Sequence, residues 1–172
     1  MCLLDKDMQK ISEKIEKVVV NTGIGRQSEQ AHFEDKILPE IMKEFAAITG
    51  QKPSERKAKK SIAGFKLRMD EIIGLKTTLR KKRMEDFITR VVRIVLPRVK
   101  DFRGLELSNV DETGNLNIGL KSQLVFPEID PNKSKVNFGV QITLVGRGRD
   151  RQKMIDFYRS IKVPLKRLES KS

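Results

Sequence analysis

Apolar residues recur along the chain with a period that changes several times, and each change marks an element boundary. The β-branched run KVVVN, starting at Lys17, reads as a strand, and Gly23 and Gly25 in TGIGRQS break it. Phe33, Ile37, Ile41 and Phe45 then recur every four residues, with Leu38 and Ile48 alongside, the stripe of an amphipathic helix. Ser28 is its expected N-cap and Gly50 its stop, while Pro39, inside the pattern, predicts a kink or a split. Residues 52–58 and 75–80 read as two strands with polar outer faces. Between them KKSIAGFKLRMDEIIG has no period and predicts a long hairpin loop, mobile unless a partner orders it. A second helix is expected from Lys82, with Met84, Phe87, Ile88, Val91, Val92 and Val95 on a broad apolar face, ended by Pro97 and Gly104.

From Leu105 the elements shorten. LELS and NLNIGL predict two strands around the turn NVDETGN, where Asp111, Gly114 and the asparagines supply turn chemistry. SQLVFPEIDPNKS reads as a loop or short helix. Val136, Phe138, Val140, Ile142 and Leu144 alternate with polar or small residues, the clearest half-buried strand in the chain. Asp150 is placed to cap a last helix whose apolar side is Met154, Ile155, Phe157, Tyr158 and Ile161, ending before Pro164. The pattern predicts an N-terminal arm over 1–15, a single α+β domain over 16–165 and a disordered tail over 166–172. The domain is expected to hold a largely antiparallel curved sheet with helices packed on one face.

Charge changes the picture from fold to function. The chain of 172 residues carries a formal net charge of +13. Residues 52–83 alone hold twelve Lys or Arg against Glu55, Asp70 and Glu71, a local net of +9. With so few acids to relieve them, those cations repel one another unless a polyanion neutralises them. Ser61, Gly64, Phe65, Thr77 and Thr78 are interleaved with the charges. Glycine admits a backbone closely, hydroxyls bond phosphate or ribose, and a phenyl ring stacks on an exposed base. This stretch is therefore expected to bind RNA.

Other chemistry is thinly represented. GIG after a strand lacks both the third glycine of a dinucleotide fingerprint and the Gly-Lys-Ser/Thr of a nucleotide loop, so it reads as a turn. His32 is the only histidine and Cys2 the only cysteine, which excludes a Cys/His zinc cluster and any internal disulfide. Glu128 and Asp130 in FPEID form the one compact carboxylate pair. No signal-peptide pattern or membrane-length apolar run is present, so a soluble cytoplasmic protein without cofactor, metal or membrane contact is expected.

Six blocks occur in order: NTGIG at 21–25, ITGQKP at 48–53, KAKKSIAGFKLR at 57–68, LKTTLRKKRM at 75–84, VLPRVKDFRGL at 95–105 and FPEID at 126–130. With them, residues 16–164 resemble the family of the universal large-subunit ribosomal protein number five, of bacterial type. The resemblance implies a non-catalytic ribosomal protein with an α+β fold that binds 5S ribosomal RNA and helps attach it to the large-subunit RNA in the central protuberance. It further implies contact with the peptidyl-site transfer RNA through a flexible loop, a bridge to the small-subunit head protein, and neighbouring proteins of the 5S particle as partners. Carried onto matching positions, the 5S-binding residues are Asn21, Gln51, Lys52, Lys76, Thr78 and Arg80. The transfer RNA loop is Lys60 to Arg68, with Ser61, Gly64, Phe65 and Lys66 at its tip. The chain departs from the family pattern in three places: a shorter lead-in with Glu13 where a proline is usual, the turn LVGRGRD with Arg147 and Arg149, and two acids in MDEIIG. The alternatives are a basic RNA-processing enzyme using Glu128 and Asp130, and a non-ribosomal RNA chaperone.

Overall fold

The computed structural model describes residues 11–25, 27, 33–65, 67–148 and 150–166. Five strands, β1 (Ile15–Gly23), β2 (Ser54–Lys57), β3 (Ile72–Leu79), β4 (Leu116–Leu120) and β5 (Val140–Gly146), form one antiparallel sheet in the order β2-β3-β1-β5-β4. Three helices, α1 (Leu38–Thr49), α2 (Lys81–Arg90) and α3 (Arg151–Ser160), make the fold α+β. Residues 11–14 are also helical. No helix among the described residues is long and apolar enough to cross a membrane.

The chain divides into two compact units, one of Met1–Val19, Thr78–Ile118 and Ile142–Ser172, the other of Val20–Thr77 and Gly119–Gln141. In the first, α2 buries Met84, Phe87 and Ile88, and α3 buries Met154, Ile155, Phe157 and Tyr158. Asp150 caps α3 as its position predicts, accepting the amides of Gln152 (3.0 Å) and Lys153 (3.3 Å). The buried Tyr158 hydroxyl donates to the Gly114 carbonyl at 2.8 Å, and burial pushes its pKa far up. Arg151 donates to the carbonyls of Leu107 and Val110, pinning the segment before β4. Asp111 closes the predicted turn by accepting from the Asn115 backbone and side-chain amides and the Thr113 hydroxyl, each at 2.8 Å. Burial opposes ionisation of Asp111, but these donors outweigh it and hold its pKa below the ordinary value.

In the second unit, α1 buries Leu38, Ile41, Phe45 and Ile48, the helical stripe read from the sequence, and ends where Gly50 adopts φ 66° and donates to Ala46 O at 2.8 Å. The fully buried Gln123 is its polar anchor. The Gln123 side chain donates to Val136 O and accepts from Phe138 N at 3.0 Å, while the Gln123 backbone N–H donates to Phe138 O at 3.1 Å. The strand predicted from Val136 therefore enters the ladder only at Val140, because the Gln123 amide takes the hydrogen bonds that a neighbouring strand would make.

Several expectations shift for identifiable reasons. Leu105–Ser108 is no strand: Leu107–Asn109 is a 3₁₀ turn, and only Leu105 bridges, to Leu165. That bridge, with Lys166 N–H on Leu105 O at 2.8 Å, holds Lys166, the first residue of the predicted tail, against the domain. Pro39 splits the first helix as one of its two predicted effects: a π-helical segment Phe33–Ile37 precedes α1, which places Pro39 in its first turn, where a missing N–H costs little. The second helix ends between Pro97 and Gly104 as predicted: after a π-helical stretch, Val91–Val95, the helical path stops at Arg98. Ile72 and Ile73, assigned to the loop, open β3. The Ser28 cap, His32, Cys2 and residues 167–172 lie outside the described residues.

Two outcomes test these anchors. Gln123→Leu, which leaves Phe138 N without a partner and Val136 O with the Ser134 hydroxyl alone, is expected to cost about 1–3 kcal/mol in urea unfolding. Because the folded pKa of Asp111 is depressed, its contribution is present above the unfolded value of 3.8 and is lost as pH falls through the lower folded value. Asp111→Asn should flatten the acid limb of the stability–pH curve, measured by chemical denaturation.

Candidate nucleic-acid interface

The basic stretch folds as the β2–β3 hairpin. In the second unit its base is set by the turn after α1. The buried Thr49 hydroxyl lies 2.9 Å from the carbonyls of both Phe45 and Gln51, bonding one at a time, and Pro53 is buried. With those two anchored, Gln51 is left half-buried and Lys52 exposed. β2 then pairs antiparallel with β3, Ser54 opposite Lys76 and Arg56 opposite Gly74, with a bulge between Arg56 and Lys57. The Ser54 hydroxyl donates to Lys76 O at 2.9 Å.

Directly opposed residues share a face of a sheet. Along β3, Leu75, Thr77 and Leu79 are buried, so Lys76 and Thr78 point to the other, open side. Register places Ser54 and Arg56 beside Lys76, an addition that period alone does not reveal. Gly74 makes this packing possible, because a Cβ there would meet Thr22 O at 2.9 Å. Asn21 on β1 donates from its side-chain amide to Gln141 Oε1 at 3.2 Å, within the same unit.

The hairpin continues beyond the strands as an ordered turn. Ala58 N–H donates to Glu71 O (2.8 Å), Asp70 N–H to Ala58 O (3.0 Å), and Ile62 and Leu67 exchange bonds of 3.0 and 3.2 Å around a 3₁₀ turn, Ala63–Phe65. The two acids that depart from the family pattern serve this turn. The Glu71 carboxylate accepts Arg68 N–H at 2.9 Å, and Asp70 takes the left-handed bend at φ 67°. Ser61 Oγ accepts Met69 N–H at 3.0 Å and keeps its own proton to donate. Gly64 stands in open space, a Cβ there meeting nothing within 4 Å, so internal packing does not demand a glycine. Lys60, Ser61, Gly64 and Arg68 are exposed; Lys66 and the Phe65 side chain lie outside the description.

Electrostatically the hairpin is nearly unrelieved. Among the described residues no carboxylate pairs with Lys52, Arg56, Lys57, Lys59, Lys60, Arg68 or Lys76. In the first unit, Arg80 does have a partner: its Nη1 lies 3.2 Å from Glu16 Oε1, which Lys17 Nζ also approaches at 3.4 Å. The Arg80 hydrogen bond, followed by Lys17, lowers the pKa of this exposed carboxylate. Such a pair in water is weak, so a phosphate can take Arg80 over at small cost. Arg80, Lys81, Lys82 and Arg83 are exposed at the start of α2, which has no acid in its first turn and no side-chain cap. Four cations at the positive end of a helix dipole repel one another and the dipole alike, and an external anion relieves both.

The other candidates read from the sequence lie at the surface. Asp130 accepts Asn132 N–H at 3.0 Å and faces Lys133 at 3.6 Å, and both Glu128 and Asp130 are exposed. No group of three His, Cys, Asp or Glu side chains stands together among the described residues. Arg147 is exposed on the altered turn, its N–H held by Lys14 O at 2.8 Å; Arg149 is outside the description.

Comparison with known proteins agrees over nearly the whole chain. A family described as Ribosomal protein L5 matches residues 7–68, and one described as the C-terminus of the same ribosomal family matches residues 72–165. Similar curated proteins include the large ribosomal subunit protein uL5 of Fusobacterium nucleatum subsp. nucleatum, 44% identical over 154 residues (90% of this chain, 82% of the relative). That of Geotalea uraniireducens is 48% identical over 132 residues (77% and 72%). The large ribosomal subunit protein uL5c of Gracilaria tenuistipitata var. liui is 40% identical over 152 residues (88% and 82%).

Gly74→Ala is expected to force β1 and β3 apart and cost about 1–3 kcal/mol, read as a lower midpoint in thermal unfolding.

Proposed function

The chain belongs to the ribosomal protein L5 family, and from that premise we propose that its unrelieved basic residues hold 5S ribosomal RNA in the large subunit. It is a large-subunit ribosomal protein of a family that is not enzymatic, and its place is the ribosome in the cytoplasm. The observation that carries the 5S reading is the β2–β3 hairpin, whose exposed cations among the described residues lack acidic partners and whose open side presents Lys76 beside Ser54 and Arg56. Lys52, Lys76 and Arg80 neutralise phosphates; Asn21, Gln51 and Thr78 bond phosphate or ribose oxygens. Residues 16–165 act as one RNA-binding domain in this reading.

The hairpin tip has a separate role. In this reading Lys60, Ser61, Gly64, Phe65, Lys66 and Arg68 are the contacts to the peptidyl-site transfer RNA. Through the remaining surface the protein helps attach 5S RNA to the large-subunit RNA, meets neighbouring proteins of the 5S particle, and bridges to the small-subunit head protein. A general RNA chaperone differs by its indifference to which structured RNA it meets.

Binding to 5S RNA and to a size-matched structured RNA, measured across salt, tests the reading. With about six phosphates neutralised, affinity should fall roughly a thousandfold between about 50 and 200 mM salt. Lys76→Ala with Arg80→Ala should weaken 5S binding strongly and reduce the salt slope by about two. Equal affinity for both RNAs would defeat the 5S claim, and an unchanged slope in the double variant would place the contacts elsewhere.

A further inference from the structure

Met69 and Ile62 are large apolar side chains left 62% and 47% exposed at the hairpin tip, in a chain that buries most of its apolar side chains. They belong to one ordered turn, because the 3.0 Å bond from Met69 N to Ser61 Oγ ties Met69 to the residue next to Ile62. The exposed Lys59, Lys60 and Arg68 surround them. Cations bring an anionic partner, and a flexible thioether packs well against a flat ring face. That pairing suits RNA whose bases or riboses are open to contact rather than a duplex presenting only phosphates.

The methionines also differ sharply in access. Met84 and Met154 are 1% and 2% exposed, and Met42 is half-buried. Among the described residues Met69 is thus the thioether that a dissolved oxidant meets first. We propose that Met69 is an oxidation-sensitive RNA contact, a modification site at which conversion to the sulfoxide loosens the grip of the tip on transfer RNA; this rests on the tip's role given above. The oxidant is a peroxide. A sulfur lone pair attacks one peroxide oxygen, the S–O bond forms as the O–O bond breaks, and the second oxygen leaves as water. Sulfur loses two electrons and the peroxide gains them. The product is polar where the contact is apolar, and a methionine sulfoxide reductase using a dithiol reverses it.

The test treats the full chain with dilute hydrogen peroxide, maps oxidation by peptide mass spectrometry, and measures affinity for a transfer RNA at fixed salt. Lys59→Ala, Lys60→Ala and Arg68→Ala combined define the tip-dependent part of that affinity. Met69 should oxidise well before Met42, Met84 and Met154, and affinity should fall about three- to tenfold. Met69→Leu should show the same affinity with and without peroxide, whatever its starting value, and Met69→Gln should resemble the oxidised protein. Oxidation of Met42, Met84 or Met154 ahead of Met69 overturns the proposal. Full oxidation of Met69 without loss of affinity, in a protein whose tip charges matter, overturns the Met69 contact alone. Affinity indifferent to the tip charges overturns the role of the tip and this proposal with it.

Discussion

Burial of Leu75, Thr77 and Leu79 along one side of β3 is the constraint from which the basic hairpin follows. Side chains on a strand alternate, so sinking those three into the apolar interior turns Lys76 and Thr78 outward. A slip of one residue would bury a lysine and expose two leucines, which fixes the register more firmly than any polar contact could. Once β3 is set, β2 has no apolar side of its own; all four of its residues are exposed. It is held by its ladder bonds to β3 and by Ser54, and the bulge at Arg56/Lys57 re-aims the chain into the tip.

The same arrangement concentrates charge with little local relief. A globular surface normally intersperses acids with bases, yet two of the three acids of this stretch serve its geometry: Glu71 caps a backbone amide and Asp70 makes a left-handed bend. The Glu16–Arg80 pair is exposed on both sides, 45% and 54%, and therefore holds Arg80 loosely. At the start of α2 the cations even oppose the helix dipole. Such repulsion destabilises the isolated protein slightly and favours association with a polyanion, which is how a ribosomal protein gains affinity from unfavourable surface electrostatics.

Loops in each unit are kept in shape by hydrogen-bonding side chains rather than by more secondary structure. Gln123 substitutes for a missing strand neighbour, Asp111 closes a turn with three donors, and Tyr158 reaches a backbone carbonyl from a helix. Gln123 and Tyr158 satisfy groups that burial would otherwise strand.

Local patterning settles much of this fold before any packing is considered. The four-residue stripe of α1, the apolar side of α2, the Asp150 cap and the strand character of β1, β3 and the main part of β5 are local properties, set by period and propensity. The basic stretch is equally legible, since charge is additive and needs no coordinates, and the ordered motifs carried the family. Packing settled what depends on residues far apart in sequence. The pairing of Ser54 with Lys76, the approach of Thr22 O that keeps Gly74 bare, the hydrogen bonds by which Gln123 delays β5 and the loss of LELS to a 3₁₀ turn all require two distant segments to meet. The single-sign charge run therefore resolves into cations on an open strand face and an ordered tip because ladder register and burial, which act across the sheet, choose the direction of each side chain.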